Sequence, residues 1–114
     1  MGGAASIPIG NCSNVFLLNP TLSPASVAPN TSAEQTFSVT GVHLGDYIEV
    51  NNSGANQAGL IIANARVTSA GNIGISFGNL TAATITPTAA TVYTVLVVRG
   101  ENYADGGLPI GISA

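Results

Sequence analysis

The chain has 114 residues, enough for one domain with a single core. Only 6% of the residues are charged, lysine is absent, and the net charge of −3 excludes the basic surface that nucleic-acid binding requires. The longest apolar runs, 59–63 and 92–98, fall far short of the ~20 residues that a membrane-spanning helix needs. A mean hydropathy of +0.43 therefore predicts self-association or burial in a larger assembly.

Residues 1–30 are predicted to form an extended N-terminal arm. Residues 1–11 carry glycine and proline without a hydrophobic period. The apolar run 15–18, stopped by Asn19-Pro20, is a short strand or an anchoring segment, and the prolines of 21–30 favour extended backbone at a sheet edge. Cys12 is the only cysteine, so no disulfide can form within the chain.

Two short strands are predicted after the arm. Residues 34–40 alternate, with Phe37 and Val39 on one face, which indicates a half-buried strand. A turn at Gly45-Asp46 precedes the second strand, 47–50, whose aliphatic side chains point inward.

A hairpin is predicted over residues 58–79, with its turn at Ala70-Gly71. In the first arm of the hairpin, Ala63, Ala65 and Val67 share one face. In the second arm, glycines at 74 and 78 alternate with large apolar residues. Such glycines mark either the close approach of a neighbouring chain or a bend in the strand.

The last predicted strand, 92–99, is apolar on both faces, so it lies inside a sandwich or under a partner. The connection 81–91 is long enough to cross from one sheet to another. The sequence therefore predicts an all-β fold: a single antiparallel β-sandwich, jelly-roll or Greek-key like. Its parts are the extended arm over 1–30, a core over 31–100 and a C-terminal tail over 101–114.

No arrangement of residues predicts catalysis or metal binding. His43, the only histidine, lies in a turn, and nothing in the sequence places it beside Cys12. Zinc needs several cysteine or histidine ligands, and the acidic loop 101–105 lacks the spacing of a calcium loop. We expect a protein that is not an enzyme, without cofactor or metal.

Two arginines and one apolar run are the candidate interface residues: Phe16, Leu17, Leu18, Arg66 and Arg99. Each arginine lies in a strand of apolar or small residues. They are expected either to pair across a subunit boundary with Glu34, Glu49 or Asp105, or to be exposed cations at strand ends. The three tyrosines (Tyr47, Tyr93 and Tyr103) could form a sugar-binding platform, but without tryptophan, core or interface positions are favoured.

An ordered set of segments resembles a group of small structural proteins of tailed bacteriophages. The resemblance covers about residues 32–99, and its segments are Ala33–Gly41, Gly45-Asp46, Ala58–Leu60, Asn64–Val67, Ile75–Asn79, Ile85–Pro87 and Val97–Arg99. Some small β-sandwich proteins of this kind are capsid decoration (cement) proteins, which sit as trimers on the outside of the head.

The resemblance implies a non-enzymatic decoration protein that binds the outside of a phage head and stabilises it. Its expected partners are its own copies, as a homotrimer, and the major capsid protein, with no nucleic acid and no membrane. Its expected location is the capsid surface of the virion, after synthesis in the host cytoplasm. The alternative is a phage tail, neck or fibre module, including one that binds a receptor or glycan.

Overall fold

The computed structural model describes residues 12–100, and the parts of the predicted arm and tail at 1–11 and 101–114 lie outside this range. Within it the chain forms strands and no helix, which confirms the all-β prediction; no segment there is a helix of the length and apolarity that crossing a membrane demands. The strands are β1 (Cys12–Leu18), β2 (Thr21–Leu22), β3 (Thr31–Ser38), β4 (Tyr47–Asn52), β5 (Leu60–Ser69), β6 (Asn72–Asn79) and β7 (Thr91–Gly100).

The strands form two antiparallel sheets. In the front sheet β7 is central, with β1 and β2 along one edge and β4 along the other. In the back sheet β6 is central between β3 and β5. Strands β1 and β2 thus belong to the sandwich, so the described part of the predicted arm is built into the core domain, which begins before residue 31.

The core lies between the two central strands. Ile73, Ile75 and Phe77 of β6 and alternate residues of β7 (Tyr93, Val95 and Val97) are buried. The rings of Phe77 and Tyr93 meet edge to face, with centroids 6.4 Å apart. The predicted period of two on β6 and β7 is therefore confirmed, and the connection between them does cross from the back sheet to the front sheet.

A β-bulge in β5 corrects one predicted face. The pairing of β5 with β6 shifts register between Ile62 and Asn64, so Ala63 is exposed whereas Ile62 and Ala65 pack against the core. Simple alternation, which places Ala63 with Ala65, fails here because the bulge inserts one extra residue into the strand.

The glycines of β6 leave room for side chains of the same chain. A Cβ built on Gly74 would meet the Glu34 carboxylate at 2.5 Å, and one on Gly78 would meet Ile61 at 2.8 Å. Of the two readings left open by the sequence, a close neighbouring chain is therefore not required at either position, because Glu34 and Ile61 fill the space.

Asn79 closes one end of the core and is 1% exposed. Its Nδ2 donates to the carbonyl oxygens of Val27 (3.1 Å) and Ala83 (2.8 Å). Its Oδ1 accepts from the backbone N–H of Thr81 (2.9 Å) and from the hydroxyl of Thr81 (2.7 Å). One amide thus ties the crossover after β6 to the segment before β3. Because both ends of the amide are used, the Asn-Leu-Thr sequon here offers no free nitrogen for a glycan in the folded chain.

Candidate interaction surface

The outer face of the front sheet carries six apolar side chains, which we call the apolar face: Val15, Leu17, Tyr47, Val92, Leu96 and Val98. Leu17 is 60% exposed, Tyr47 59%, Val15 55% and Val92 42%. Leu96 and Val98 lie between them on the central strand and are partly exposed. Together they form an apolar patch of the size that is often functional in soluble proteins.

The pairing register explains how the apolar face arises. Val15, Val98 and Tyr47 are aligned across the sheet in one row, and Leu17, Leu96 and Glu49 form the next. Strand β7 is apolar on both faces because Tyr93, Val95 and Val97 are buried in the core, whereas Leu96 and Val98 lie on the outer face, in the middle of these rows. In the described residues one face of β7 is therefore buried inside the sandwich and the other is partly exposed; whether a partner covers the second face stays a prediction.

Two polar groups lie at the β4 edge of the apolar face. The hydroxyl of Tyr47 donates to Oε1 of Glu49 at 3.1 Å. This hydrogen bond to a carboxylate raises the pKa of the Tyr47 phenol above its ordinary value. At the β1 edge the seven residues of the strand carry no charged side chain. Among residues 12–100, the charge of the face is therefore confined to one edge.

The predicted interface run 16–18 is divided between the two faces of β1. Phe16 and Leu18 pack against the core, and only Leu17 points outward. Sequence reasoning did not combine Leu17 with Tyr47 and Leu96, because the strand order was unknown. The signal that could have found the face was the doubly apolar pattern of β7 together with an outward tyrosine on β4.

Arg99 closes the end of the core opposite Asn79. Its Nε and Nη2 donate to Oδ1 and Oδ2 of Asp46 at 2.9 and 2.8 Å, and Nη2 also donates to the carbonyl oxygen of Gly41 at 2.8 Å. The guanidinium carbon lies 5.4 Å from the centroid of the Phe16 ring. The hydrogen bond from Arg99 lowers the pKa of Asp46, whose side chain is 3% exposed. Arg99 is thus paired inside its own chain.

Arg66 also has a partner within the chain. Its Nε and Nη2 donate to the two carboxylate oxygens of Glu34 at 2.8 and 2.9 Å. The pair lies over Gly74 of β6, where a side chain would occupy the position of the Glu34 carboxylate. The hydrogen bond from Arg66 lowers the pKa of Glu34. One of the two alternatives from the sequence placed a pairing with Glu34 across a subunit boundary; here the pair joins β3 to β5 of one sheet. Whether either arginine also lies in an interface stays a prediction.

The remaining candidate chemistry is dispersed. Within residues 12–100 no three histidine, cysteine, aspartate or glutamate side chains gather into a possible metal site. His43 is exposed in its turn, where its backbone N–H donates to Oδ2 of Asp46 at 2.8 Å. Tyr47 is on the apolar face and Tyr93 is in the core, so these two cannot share a sugar-binding platform. Tyr103 and the acidic loop 101–105 lie outside the described residues.

Comparison with known proteins returned no matching protein family, no matching curated protein and no matching solved structure.

Proposed function

We propose that the chain is a non-enzymatic structural protein of a phage virion, a decoration or cement protein that binds the outside of the head and stabilises it. The observation that carries the proposal is the apolar face, with four exposed large apolar side chains in a chain of only 6% charged residues. Such a surface is typical of a protein that other chains cover in its working state.

The fold supports a mechanical role. The core is closed at one end by Asn79 and at the other by the Asp46–Arg99 pair, so the connections at both ends are tied to the sandwich. On a shell, many copies of a rigid module that each make a modest contact sum to a strong total attachment. Stabilisation of the head would follow from joining neighbouring capsomers through these contacts.

The virion location is proposed from the resemblance of the segments over residues 32–99 to small phage structural proteins. The low charge agrees with it, since a decoration protein of this kind recognises the protein shell and not the packaged nucleic acid. The major capsid protein is the proposed partner at the capsid surface.

The experiment mixes the purified chain with phage heads that lack it and follows co-sedimentation and the temperature at which heads release DNA. We expect saturable binding and a higher release temperature. Heads already carrying the protein are the control and should take up no more. An absence of binding to bare heads would contradict the proposal, and specific binding to tails or host cells instead would favour a tail, neck or fibre module.

A further inference from the structure

We propose that the apolar face binds the apolar face of a second copy of this chain. The two copies pack face to face and are related by a two-fold axis that runs parallel to the strands. Seven large hydrophobic side chains are exposed among the described residues, and four of them are on this face. The pairing uses the same face that carries the proposed function, but it is argued only from the exposed side chains and the charge of that face, and it predicts a two-fold dimer in place of the homotrimer that the resemblance implies.

The size of the face suits a reversible dimer. Three neighbouring strands of about seven residues, with the exposed fractions given above, present roughly 500 Å² per copy, or about 1,000 Å² in total, near the lower limit for a specific interface. An interface of this size without a buried charge pair is expected to dissociate at roughly micromolar concentration. Two antiparallel sheets pack face to face in ordinary β-sandwiches, with their strand directions within about 30° of each other.

The side chains are complementary under this axis. Rotation about a line parallel to the strands places β4 of one copy over β1 of the other. Each row of the first copy then faces the same row of the second copy. Tyr47 then lies over Val15 of the second copy, a large side chain against a small one, and Val98 meets Val98. In the next row Leu96 meets Leu96, and the charged Glu49 lies at the rim beside Leu17 of the second copy. Each contact between different residues occurs twice, and the Val98 contact lies on the axis, as a two-fold interface requires.

The charge of the face selects this axis over the perpendicular one. Glu49 is on β4, and β1 carries no charged side chain. With the axis parallel to the strands, the two Glu49 carboxylates lie at opposite rims, at least ~10 Å apart and close to the screening length at physiological salt. A perpendicular axis through the Leu96 row would superpose β4 on β4 and bring the two carboxylates together.

The first test measures mass by sedimentation velocity from about 1 to 100 µM, a range that spans the micromolar dissociation constant expected above. The native chain should shift reversibly from monomer to dimer. L17D should stay monomeric throughout, whereas L80D, a change at a 68% exposed leucine outside the face, should dimerise as the native chain does. Circular dichroism confirms that both variants fold. A native chain that is monomeric at 100 µM, or equal dimerisation of L17D, would overturn the proposal.

The second test fixes the orientation by cross-linking, in a background in which Cys12 is replaced by serine. A mixture of V15C and Y47C proteins should form a disulfide-linked heterodimer under mild oxidation, and each protein alone should form far less. Equal cross-linking of Y47C with itself would contradict the axis. A monomer that still binds phage heads would refute the dimer and leave the proposed function intact, whereas a dimer that ignores heads would do the reverse.

Discussion

Replacement of Asn79 tests the idea that one buried amide holds the crossover between the sheets. N79A removes four hydrogen bonds and leaves the backbone N–H of Thr81 without its partner. The carbonyl oxygen of Val27 keeps the Ile85 N–H as a donor, and the single hydroxyl proton of Thr81, no longer shared with Asn79, donates to the carbonyl oxygen of Ala83. At about 1 kcal/mol for each lost bond, less some relaxation of the loop, we expect a loss of ~3 kcal/mol in the free energy of unfolding. For a domain of this size that loss corresponds to a melting temperature lower by roughly 15 °C.

The N79D variant separates the donor half of the amide from the acceptor half. The carboxylate keeps both hydrogen bonds from Thr81 but turns an oxygen toward the carbonyls of Val27 and Ala83. Burial and these oxygens should raise the pKa of the new carboxyl in the folded chain above its pKa in the unfolded chain. The contribution of the protonated carboxyl to stability is then fully present below the unfolded-state pKa, and it is lost as the pH rises through the folded-state pKa. N79D should therefore be more stable near pH 4 relative to the native chain than it is at pH 7.

Thermal and urea unfolding followed by circular dichroism provide both measurements. N72A is the matched control, since the same residue type begins β6 and its amide bonds only to the adjacent turn. It should cost less than about 0.5 kcal/mol. If N79A cost no more than N72A, or if N79D matched the native chain at pH 7, the amide would not have the role described here.

Three further changes test other parts of the fold. Because the pKa of Asp46 is lowered in the folded chain, its contribution to stability is present above the unfolded-state pKa and is lost as the pH falls through the folded-state pKa. Urea unfolding should therefore show that D46N loses less stability than the native chain as the pH falls below about 4. Y93F removes a buried hydroxyl that has no hydrogen-bond partner among the described residues, and calorimetry should show stability raised by about 1 kcal/mol; a loss of that size would contradict the packing. G59A places a side chain at a backbone position of positive φ and against Thr81, so it should lower the free energy of unfolding by ~2 kcal/mol in chemical denaturation. G45A also has positive φ but open space around the new side chain, so it should lower the free energy of unfolding by only ~1 kcal/mol.

The sequence predicted the sandwich because its strands carry strong local signals. The alternation of Ile73, Ile75 and Phe77 and the Ala70-Gly71 turn are properties of adjacent residues, and the structure has them as expected. The prediction for Ala63 was wrong because a bulge depends on the pairing partner, which a single strand does not reveal. The arm was separated from the core for the same reason, since nothing local indicates that β1 pairs with β7.

The candidate site was only partly predictable. Leu17 was singled out, but the apolar face is formed by three strands that are far apart in sequence, and only the register brings Leu17 beside Leu96 and Tyr47 near Val98. The partners of the arginines depend on tertiary position too. The fixed side-chain period of strands can identify which residues share a face, but it cannot identify which strands share a sheet.

Electron cryomicroscopy of phage heads mixed with the purified chain tests most directly the claim that the apolar face is an interface of a virion protein. We predict ordered density on the outside of the shell in which the surface formed by Leu17, Tyr47 and Leu96 is covered by protein, from a second copy or from the shell. Heads that bind the chain with this surface facing solvent, or heads that bind none of it, would contradict the account.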